Sequence, residues 1–418
     1  MQPVSTDQLA AWAGEARERW SLPGLAVGVL RDGEVVAAAD GVCALGRDEQ
    51  VAPDTVFRIA SITKPFVGTL AMTLVQDGLL ALDEPPPGSP VDATVRQLLS
   101  HQGGLASEWP APLDEVGESD DSLLRLCELE PERLPVGAGD LFSYCNVGYW
   151  LVGAAIARAS GTTFEEAMGD RVLEPLELRA TRFEPERAAQ GHEQVLPGSD
   201  EHRRADPAFP RVRRPSGGLW SSVDDLLRFA SHHLGGPGPL TEAAIAEMQR
   251  PHVTAPGSRV GLGWFLTRRA GRTTVEHPGS VAGYQSLLLL VPEERCAFAA
   301  LSNSSRGGAA IRDVLERLEL GPKPRPDRRL PHDELAVFAG RYVGQGFELE
   351  IVPDDGWLRM ESTELNPLTG ERHVNPSERA RPVGDREFEI VDGEARGDRF
   401  NFPRDGFVCV GPLATRVE

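Results

Sequence analysis

The sequence predicts an α+β domain with an antiparallel sheet, followed by a small all-β barrel. Three observations predict this fold class. Apolar, strand-like segments stand near both ends of the first 320 residues with helical segments between them, which favours a sheet completed by distant parts of the chain. A proline-rich stretch comes next. Beyond it, short segments alternate apolar and polar residues between turns, as half-buried strands do.

Two hairpins are predicted for the sheet. The first joins residues 24–30 to residues 34–39 through Arg31-Asp32-Gly33, a sequence that suits a tight turn. The second joins the apolar runs 283–291 and 296–302. The almost wholly apolar runs indicate strands that are buried on both faces.

Helices are predicted where apolar residues recur at helical spacing. The most apolar helix begins near Ser61 and ends at Asp77-Gly78, where the glycine suits a helix C-terminus. Asp224 and Asp225 are predicted to cap the N-terminus of a later helix. The further helices are predicted over residues 95–99, 147–159 and 223–232.

The domain boundary is predicted from composition. Residues 321–330 alternate prolines with charged residues, which is typical of an extended linker. We therefore predict a first domain over residues 1–320 and a second over residues 331–418. Segments such as 347–352 alternate apolar and polar residues, so the second domain is predicted to be a small antiparallel barrel.

The acidic composition limits the classes of molecule that the protein is expected to bind. The 418 residues include 43 Lys and Arg against 63 Asp and Glu, and the net charge of −20 repels nucleic acid and anionic membrane surfaces. No run reaches the roughly 18 apolar residues of a membrane-spanning helix, and the first residues have no basic segment of the kind that opens a secretory signal. We predict a cytoplasmic protein with neither nucleic acid nor membrane as partner.

The first chemical motif is Ser61-Ile62-Thr63-Lys64, at the predicted start of the apolar helix. Residues three apart share one helix face, so the serine hydroxyl and the lysine amine can touch. A buried amine with a lowered pKa can take the proton of a serine hydroxyl and make it a nucleophile. The alternative is a surface helix start in which the serine only caps.

Two further motifs supply complementary groups. Tyr144-Cys145-Asn146 precedes a predicted helix; a phenol near a lysine can ionise partly and shuttle a proton, and an amide can orient a substrate carbonyl. The alternative is that Asn146 merely caps the helix. His277-Pro278-Gly279-Ser280 precedes the second hairpin, and its small residues let a substrate backbone lie along a strand edge. By itself, His277 would more often be structural.

The order of these motifs, SxxK then YxN then HxG, resembles the serine β-lactamase-like and penicillin-binding-protein-like superfamily. The resemblance lies with the branch of class C β-lactamases, D-aminopeptidases and related esterases. Three flanking segments resemble those of that branch, namely residues 98–105 (LLSHQGGL), 217–222 (GGLWSS) and 261–264 (GLGW). The resemblance covers roughly residues 10 to 315 and implies a sheet flanked by helices with a helical subdomain.

The resemblance also implies roles for the motif residues. Ser61 would be the acylated nucleophile, Lys64 and Tyr144 the proton-transfer pair, and His277, which stands where many relatives place lysine, a fourth catalytic residue. Asn146 and Gly279 would contact the substrate, and the backbone N–H groups of Ser61 and Ser280 would form the oxyanion hole. No metal or organic cofactor is required.

Two further features of the sequence are His101, for which we expect a structural role, and the C-terminal part, which shows a weaker resemblance. His101 lies in the segment 98–105, where we expect it to bond the loop rather than to catalyse. The C-terminal part, with Phe338-Ala339-Gly340-Arg341-Tyr342 near its start, resembles the lipocalin-like barrels that accompany some of these hydrolases.

The expected function is hydrolysis of a small ester, amide or peptide through an acyl-enzyme at Ser61, with a D-amino-acid peptide as one candidate substrate. Two alternatives stay open. A penicillin-binding-protein-type thioesterase or peptide cyclase would transfer the acyl group to an amine, since it shares the acyl-enzyme and differs only in the attacking group. A catalytically silent binding protein would keep the fold alone.

Overall fold

The computed structural model of the chain describes residues 3–108, 116–194, 201–205, 209–321, 327–365, 372–393 and 395–417. The α-helices in these residues are α1 (Thr6–Arg19), α2 (Thr63–Gln76), α3 (Val95–Leu99), α4 (Ser122–Leu126), α5 (Asn146–Ser160), α6 (Phe164–Met168), α7 (Arg214–Gly217), α8 (Val223–His233), α9 (Glu242–Met248), α10 (Gly307–Arg317) and α11 (His332–Ala336).

The strands are β1 (Gly24–Arg31), β2 (Glu34–Gly41), β3 (Phe57–Arg58), β4 (Gly191–Gln194), β5 (His202–Ala205), β6 (Trp220–Ser221), β7 (Val253–Ala255), β8 (Ser258–Val260), β9 (Phe265–Arg269), β10 (Arg272–Val281), β11 (Tyr284–Val291), β12 (Cys296–Ser302), β13 (Gly340–Gly344), β14 (Phe347–Asp354), β15 (Trp357–Leu365), β16 (Arg372–Val374), β17 (Glu378–Pro382), β18 (Glu387–Ile390), β19 (Arg399–Asn401), β20 (Phe407–Cys409) and β21 (Leu413–Arg416).

The main sheet of the first domain has eight strands in the order β2-β1-β12-β11-β10-β9-β8-β7. Both predicted hairpins are present, as β1 with β2 and as β11 with β12, and every pairing is antiparallel. The N-terminal β1 pairs with β12, so distant parts of the chain complete the sheet. The predicted α+β class is confirmed.

Helices cover both faces of this sheet. Alternate residues of β1 point to opposite faces: Val27 packs in a cluster with Leu9 of α1 and Val314 of α10, whereas Ala26 packs in the larger cluster with Leu226 of α8. The larger cluster also includes buried residues of α2 and α5. The helix that follows Ser61 is therefore packed against this second face of the sheet.

The capping prediction for Asp224 and Asp225 is wrong. Ser222 is the N-cap of α8, and its side chain accepts a hydrogen bond from the N–H of Asp225. Both aspartates lie in the first turn of the helix instead. The carboxylate of Asp225 accepts the N–H and hydroxyl of Thr181, so this side chain anchors a neighbouring loop.

The second domain is a barrel. Eight strands follow in the order β14-β13-β21-β20-β19-β18-β17-β15, and pairing of β14 with β15 closes the ring, while β16 attaches to β15. Its core holds aromatic residues such as Phe388, Phe400 and Phe402. The predicted small antiparallel barrel is confirmed. Of the predicted linker, residues 322–326 lie outside the described residues, and Leu330 donates its N–H to Gly356 of the barrel.

The barrel packs against the first domain through an apolar cluster of its own. Cys409 and Leu413 of the barrel lie in that cluster with Val136, Phe142 and Val260 of the first domain. The contact lies beside Tyr144, which is partly buried against the same cluster. Among the helices described, none is long and apolar enough to cross a bilayer.

Candidate active site

Ser61 lies in the turn between β3 and α2. A 3₁₀ turn over Ala60–Ile62 leads directly into the helix, and Ala60 has a φ of +46°. A left-handed backbone at a non-glycine residue is strained, and such strain persists where the surrounding structure fixes it. The turn directs the chain from β3 into α2 and leaves Ser61 half-buried.

Lys64 points at Ser61 from inside the protein. Its side chain is fully buried, and its Nζ lies 3.1 Å from Ser61 Oγ and donates to the carbonyl oxygen of Ser216 at 2.8 Å. Burial lowers the pKa of Lys64 to about 7, because desolvation disfavours the charged amine. The amine can therefore accept the Ser61 proton near neutral pH. The capping alternative for this motif is wrong, since Ser61 makes no capping bond and Lys64 is not at the surface.

Tyr144 lies beside the same amine. Lys64 Nζ is 4.8 Å from the centre of the Tyr144 ring. Burial raises the pKa of Tyr144, against the opposing effect of its hydrogen bond with Ser61. The phenol therefore stays protonated at neutral pH rather than ionising partly as the sequence suggested. It can relay a proton while Lys64 serves as the base.

His101 fixes the segment that carries Tyr144. Its ring stacks on the Tyr144 ring at 4.3 Å, and its Nδ1 accepts the N–H of Cys145 at 3.0 Å. Its carbonyl oxygen accepts the N–H of Ser143 at 2.9 Å. Burial lowers the pKa of His101 well below its usual range, so the ring is neutral. The expected role in bonding the loop agrees with these contacts.

His277 is buried on β10, close to Tyr144. Nδ1 lies 2.7 Å from the Pro278 carbonyl oxygen, which can only accept, so Nδ1 carries the proton. Nε2 is then an acceptor, and it has no hydrogen-bond partner among the described residues. Burial lowers the pKa of His277 to about 3, and the nearby Lys64 charge contributes. This position is therefore neutral where a lysine would be charged.

Gly279 brings β10 against the turn that carries the predicted nucleophile. A Cβ on Gly279 would lie 2.2 Å from the Ile59 carbonyl oxygen, so only glycine allows this approach. Pairing of β10 with β9 ends at Glu276 opposite Phe265, and Ser280 follows beyond that point. Within the described sheet, this end of β10 extends past β9. A strand edge beside the nucleophile can bind an extended substrate.

Asn146 is the first residue of α5, not its cap. Cys145 is the N-cap, and its Sγ accepts the N–H of Gly148, so the capping alternative for Asn146 is wrong. The Asn146 side chain instead donates Nδ2 to Oε1 of Glu108. Its backbone N–H donates to the carbonyl oxygen of Ser107 at 3.0 Å. Asn146 therefore ties α5 to the segment that carries Ser107 and Glu108.

Comparison with known proteins identifies the family. The Beta-lactamase family model matches residues 9–320. The chain belongs to the beta-lactamase family. Penicillin-binding protein 4 of Amycolatopsis lactamdurans is 30% identical over 368 residues, which cover 79% of this chain and 95% of the relative. Esterase EstB of Burkholderia gladioli is 30% identical over 319 residues, which cover 63% of this chain and 81% of the relative.

The fold similarity extends over both domains. The crystal structure of SurE with D-Leu superposes with a TM-score of 0.77 at 25% identity, covering 99% of each chain. The chain is thus a serine hydrolase of the beta-lactamase family with an additional barrel. Among the described residues, no group of three His, Cys, Asp or Glu side chains is placed to bind a metal ion.

Three residues of this beta-lactamase-family site were missed in the sequence. Ser216 accepts the Lys64 ammonium with its carbonyl oxygen, and its position before Gly217-Gly218 was the available signal. Glu108 bonds Asn146 and follows the recognised segment 98–105 by three residues. Gln345 of the barrel bonds both backbone groups of Glu108; no local pattern marks it.

Proposed function

We propose that the chain hydrolyses small esters and amides, including derivatives of D-amino acids, through an acyl-enzyme on Ser61. The observation that carries this proposal is the 3.1 Å distance from Ser61 Oγ to the Nζ of a fully buried Lys64. A buried amine with a pKa of about 7 is a suitable base for a serine hydroxyl.

The geometry supports a two-step reaction. Neutral Lys64 takes the proton of Ser61 as Oγ attacks the substrate carbonyl carbon. The carbonyl oxygen becomes an oxyanion, for which the N–H groups of Ser61 and Ser280 are the proposed donors. As the oxyanion collapses, the bond to the leaving group breaks, and the Tyr144 hydroxyl gives its proton to that group while receiving one from Lys64. Water then attacks the acyl carbon and gives a proton to the same pair; as the ester bond to Ser61 Oγ breaks, the pair returns that proton to Oγ and the acid is released.

The relatives support the substrate class. EstB is named an esterase, and SurE, which matches both domains, was solved with D-Leu. The neutral His277 and the adjoining Pro278, which has no side-chain donor, favour substrates without a carboxylate at this position. We therefore place uncharged esters and amides ahead of β-lactams.

The test is covalent trapping on Ser61. Wild type and Ser61→Ala would be treated with a fluorophosphonate and, separately, with p-nitrophenyl acetate, and adducts would be located by peptide mass spectrometry. We expect an adduct on Ser61 in wild type and none in the variant, with both chains folded by circular dichroism. D- and L-aminoacyl p-nitroanilides then give the stereochemical preference. An adduct that persists in Ser61→Ala would place the nucleophile elsewhere and overturn the proposal.

A further inference from the structure

Glu108 lies where a substrate held by Asn146 would meet it. Asn146 Nδ2 donates to Glu108 Oε1, so the orientation of the amide is fixed. Asn146 then leaves for a substrate its Oδ1, which is an acceptor, and the second N–H of Nδ2. An acceptor at this point selects an N–H or O–H donor on the bound molecule.

The second oxygen of Glu108 is also available. Oε2 is buried and has no hydrogen-bond partner among the described residues. Oε2 does form an ion pair with Arg213, whose Nη2 lies 3.7 Å away, but this distance is longer than a hydrogen bond. A buried carboxylate oxygen without a donor is costly. Glu108 Oε2 and Asn146 Oδ1 therefore present two acceptors, one of them charged, in the same part of the cleft.

The loop that carries Glu108 is fixed in place. Gln345 of the barrel accepts the Glu108 N–H at 2.8 Å and donates to the Glu108 carbonyl oxygen at 2.8 Å. The preceding Ser107 accepts the backbone N–H of Asn146. The backbone of Glu108 is thus held from both domains, and a positioned carboxylate binds a cation with less entropy loss than a mobile one.

We propose that Glu108 and Asn146 bind the protonated free amino group of an aminoacyl ester or amide. This inference rests on the proposed function, since it names the substrate class of the same site. An ammonium has three donors and no acceptor, which matches the two acceptors of Glu108 and Asn146. An N-acylated substrate could still donate one N–H to Asn146, but it would bring no positive charge to Glu108, whose ion pair with Arg213 is 3.7 Å long.

The experiment compares substrates with and without the charge. Alanine p-nitroanilide and its N-acetyl form, each as D and L isomers, would be assayed with wild type, Glu108→Gln and the control Glu130→Gln, which removes an exposed carboxylate. In wild type we expect kcat/KM to favour the free amine. In Glu108→Gln we expect kcat/KM for the free amine to fall about 10- to 100-fold, the scale of a charge-assisted hydrogen bond, while the N-acetyl substrate changes less than threefold.

Two further measurements separate this inference from the proposed function. The preference for the free amine should decline as the pH rises through about 8, where an α-amine loses its proton, and Glu108→Gln should abolish that decline. p-Nitrophenyl acetate, which has no amine, should show no fall in kcat/KM in Glu108→Gln comparable to that of the free-amine anilide when both are assayed at the same pH. If the acetate ester is turned over through Ser61 but Glu108→Gln lowers both anilides equally, the amine site is wrong and the hydrolase stands. If Ser61 is unreactive toward every ester, the proposed function itself fails.

Discussion

The candidate active site has two sides, and different parts of the molecule hold them in place. The first side carries Ser61 and Lys64 and belongs wholly to the first domain: α2 is buried over almost its whole length, and Ser216 and Gly263 of that domain contact Lys64. The second side consists of residues 105–108 and 142–146. It is bonded to the barrel.

The barrel contacts the second side through backbone hydrogen bonds. Gly411 accepts the N–H of Tyr144 at 3.0 Å, and Leu413 donates its N–H to Ser143 Oγ at 3.1 Å. Gln345 bonds both backbone groups of Glu108. The proposed base is therefore positioned by one domain, whereas the proposed proton relay and the proposed substrate-binding amide are positioned by two. Activation of the nucleophile and completion of the reaction should respond differently to loss of the barrel.

The largest effects should come from the two proton-transfer groups themselves. Lys64→Ala and Tyr144→Phe should each lower kcat for p-nitrophenyl acetate by about 100-fold or more, the usual scale for general acid–base groups. Lys64→Ala should also slow fluorophosphonate labelling of Ser61. His277→Ala should cost less than either, because its neutral ring carries no charge and its Nε2 has no hydrogen-bond partner among the described residues. A kcat within twofold of wild type for Tyr144→Phe would remove it from the mechanism.

Removal of the barrel should affect the side with Tyr144 and leave the side with Ser61 and Lys64 intact. A chain ending at Leu320 should fold, because the main cores lie within the first domain and the barrel has a separate core. Tyr144 would lose the Gly411 contact, and displacement of a catalytic group by about 1 Å can cost about 100-fold in rate. We expect ester turnover to fall on that scale while Ser61 remains labelled by a fluorophosphonate.

The full-length variant Gln345→Ala is the matched control for this truncation. It removes both hydrogen bonds of Gln345 with Glu108 and leaves the bond between Gly411 and Tyr144, so ester turnover should fall less than tenfold. An insoluble truncated chain would show that the barrel is required for folding of the first domain, and the predicted boundary at residues 321–330 would then be wrong. Equal loss of labelling and turnover would contradict the separate support of the two sides.

Substrate selectivity should respond to Pro278 on a smaller scale. Proline offers neither a hydroxyl nor an N–H with which to hold a substrate carboxylate, whereas a threonine at this position would supply a hydroxyl. We expect poor hydrolysis of nitrocefin relative to p-nitrophenyl butyrate, and about a 10- to 100-fold gain in β-lactam acylation for Pro278→Thr, the scale of a charge-assisted hydrogen bond. Native nitrocefin turnover above ester turnover would refute this expectation.

The geometry of the side with Ser61 and Lys64 could be predicted from the sequence, whereas that of the side with Glu108 and Tyr144 could not. Helical spacing placed Ser61 and Lys64 close together because the 3₁₀ turn that holds Ser61 leads directly into α2, which holds Lys64. The contact of Gln345 with Glu108 joins residues 237 positions apart, and it depends on how two domains dock, which no local pattern encodes. The raised pKa of Tyr144 was missed for a related reason, since burial is its main cause and burial depends on tertiary packing.

The smallest predicted effect comes from the electrostatic interaction of Glu108, on one side of the site, with Lys64 on the other. Because Lys64 must be neutral to accept a proton, kcat/KM for p-nitrophenyl acetate should rise with pH through about 7, the pKa of Lys64. The charge of Glu108 opposes the effect of burial and raises that pKa. Glu108→Gln should therefore move the rise to lower pH, by less than about one unit, since a partly exposed charge is screened by solvent. Added salt should shrink this difference, and Glu130→Gln should leave the profile unchanged. A rise displaced to higher pH in Glu108→Gln would contradict the sign of this interaction, and an unchanged profile would place Glu108 too far from Lys64 to affect it.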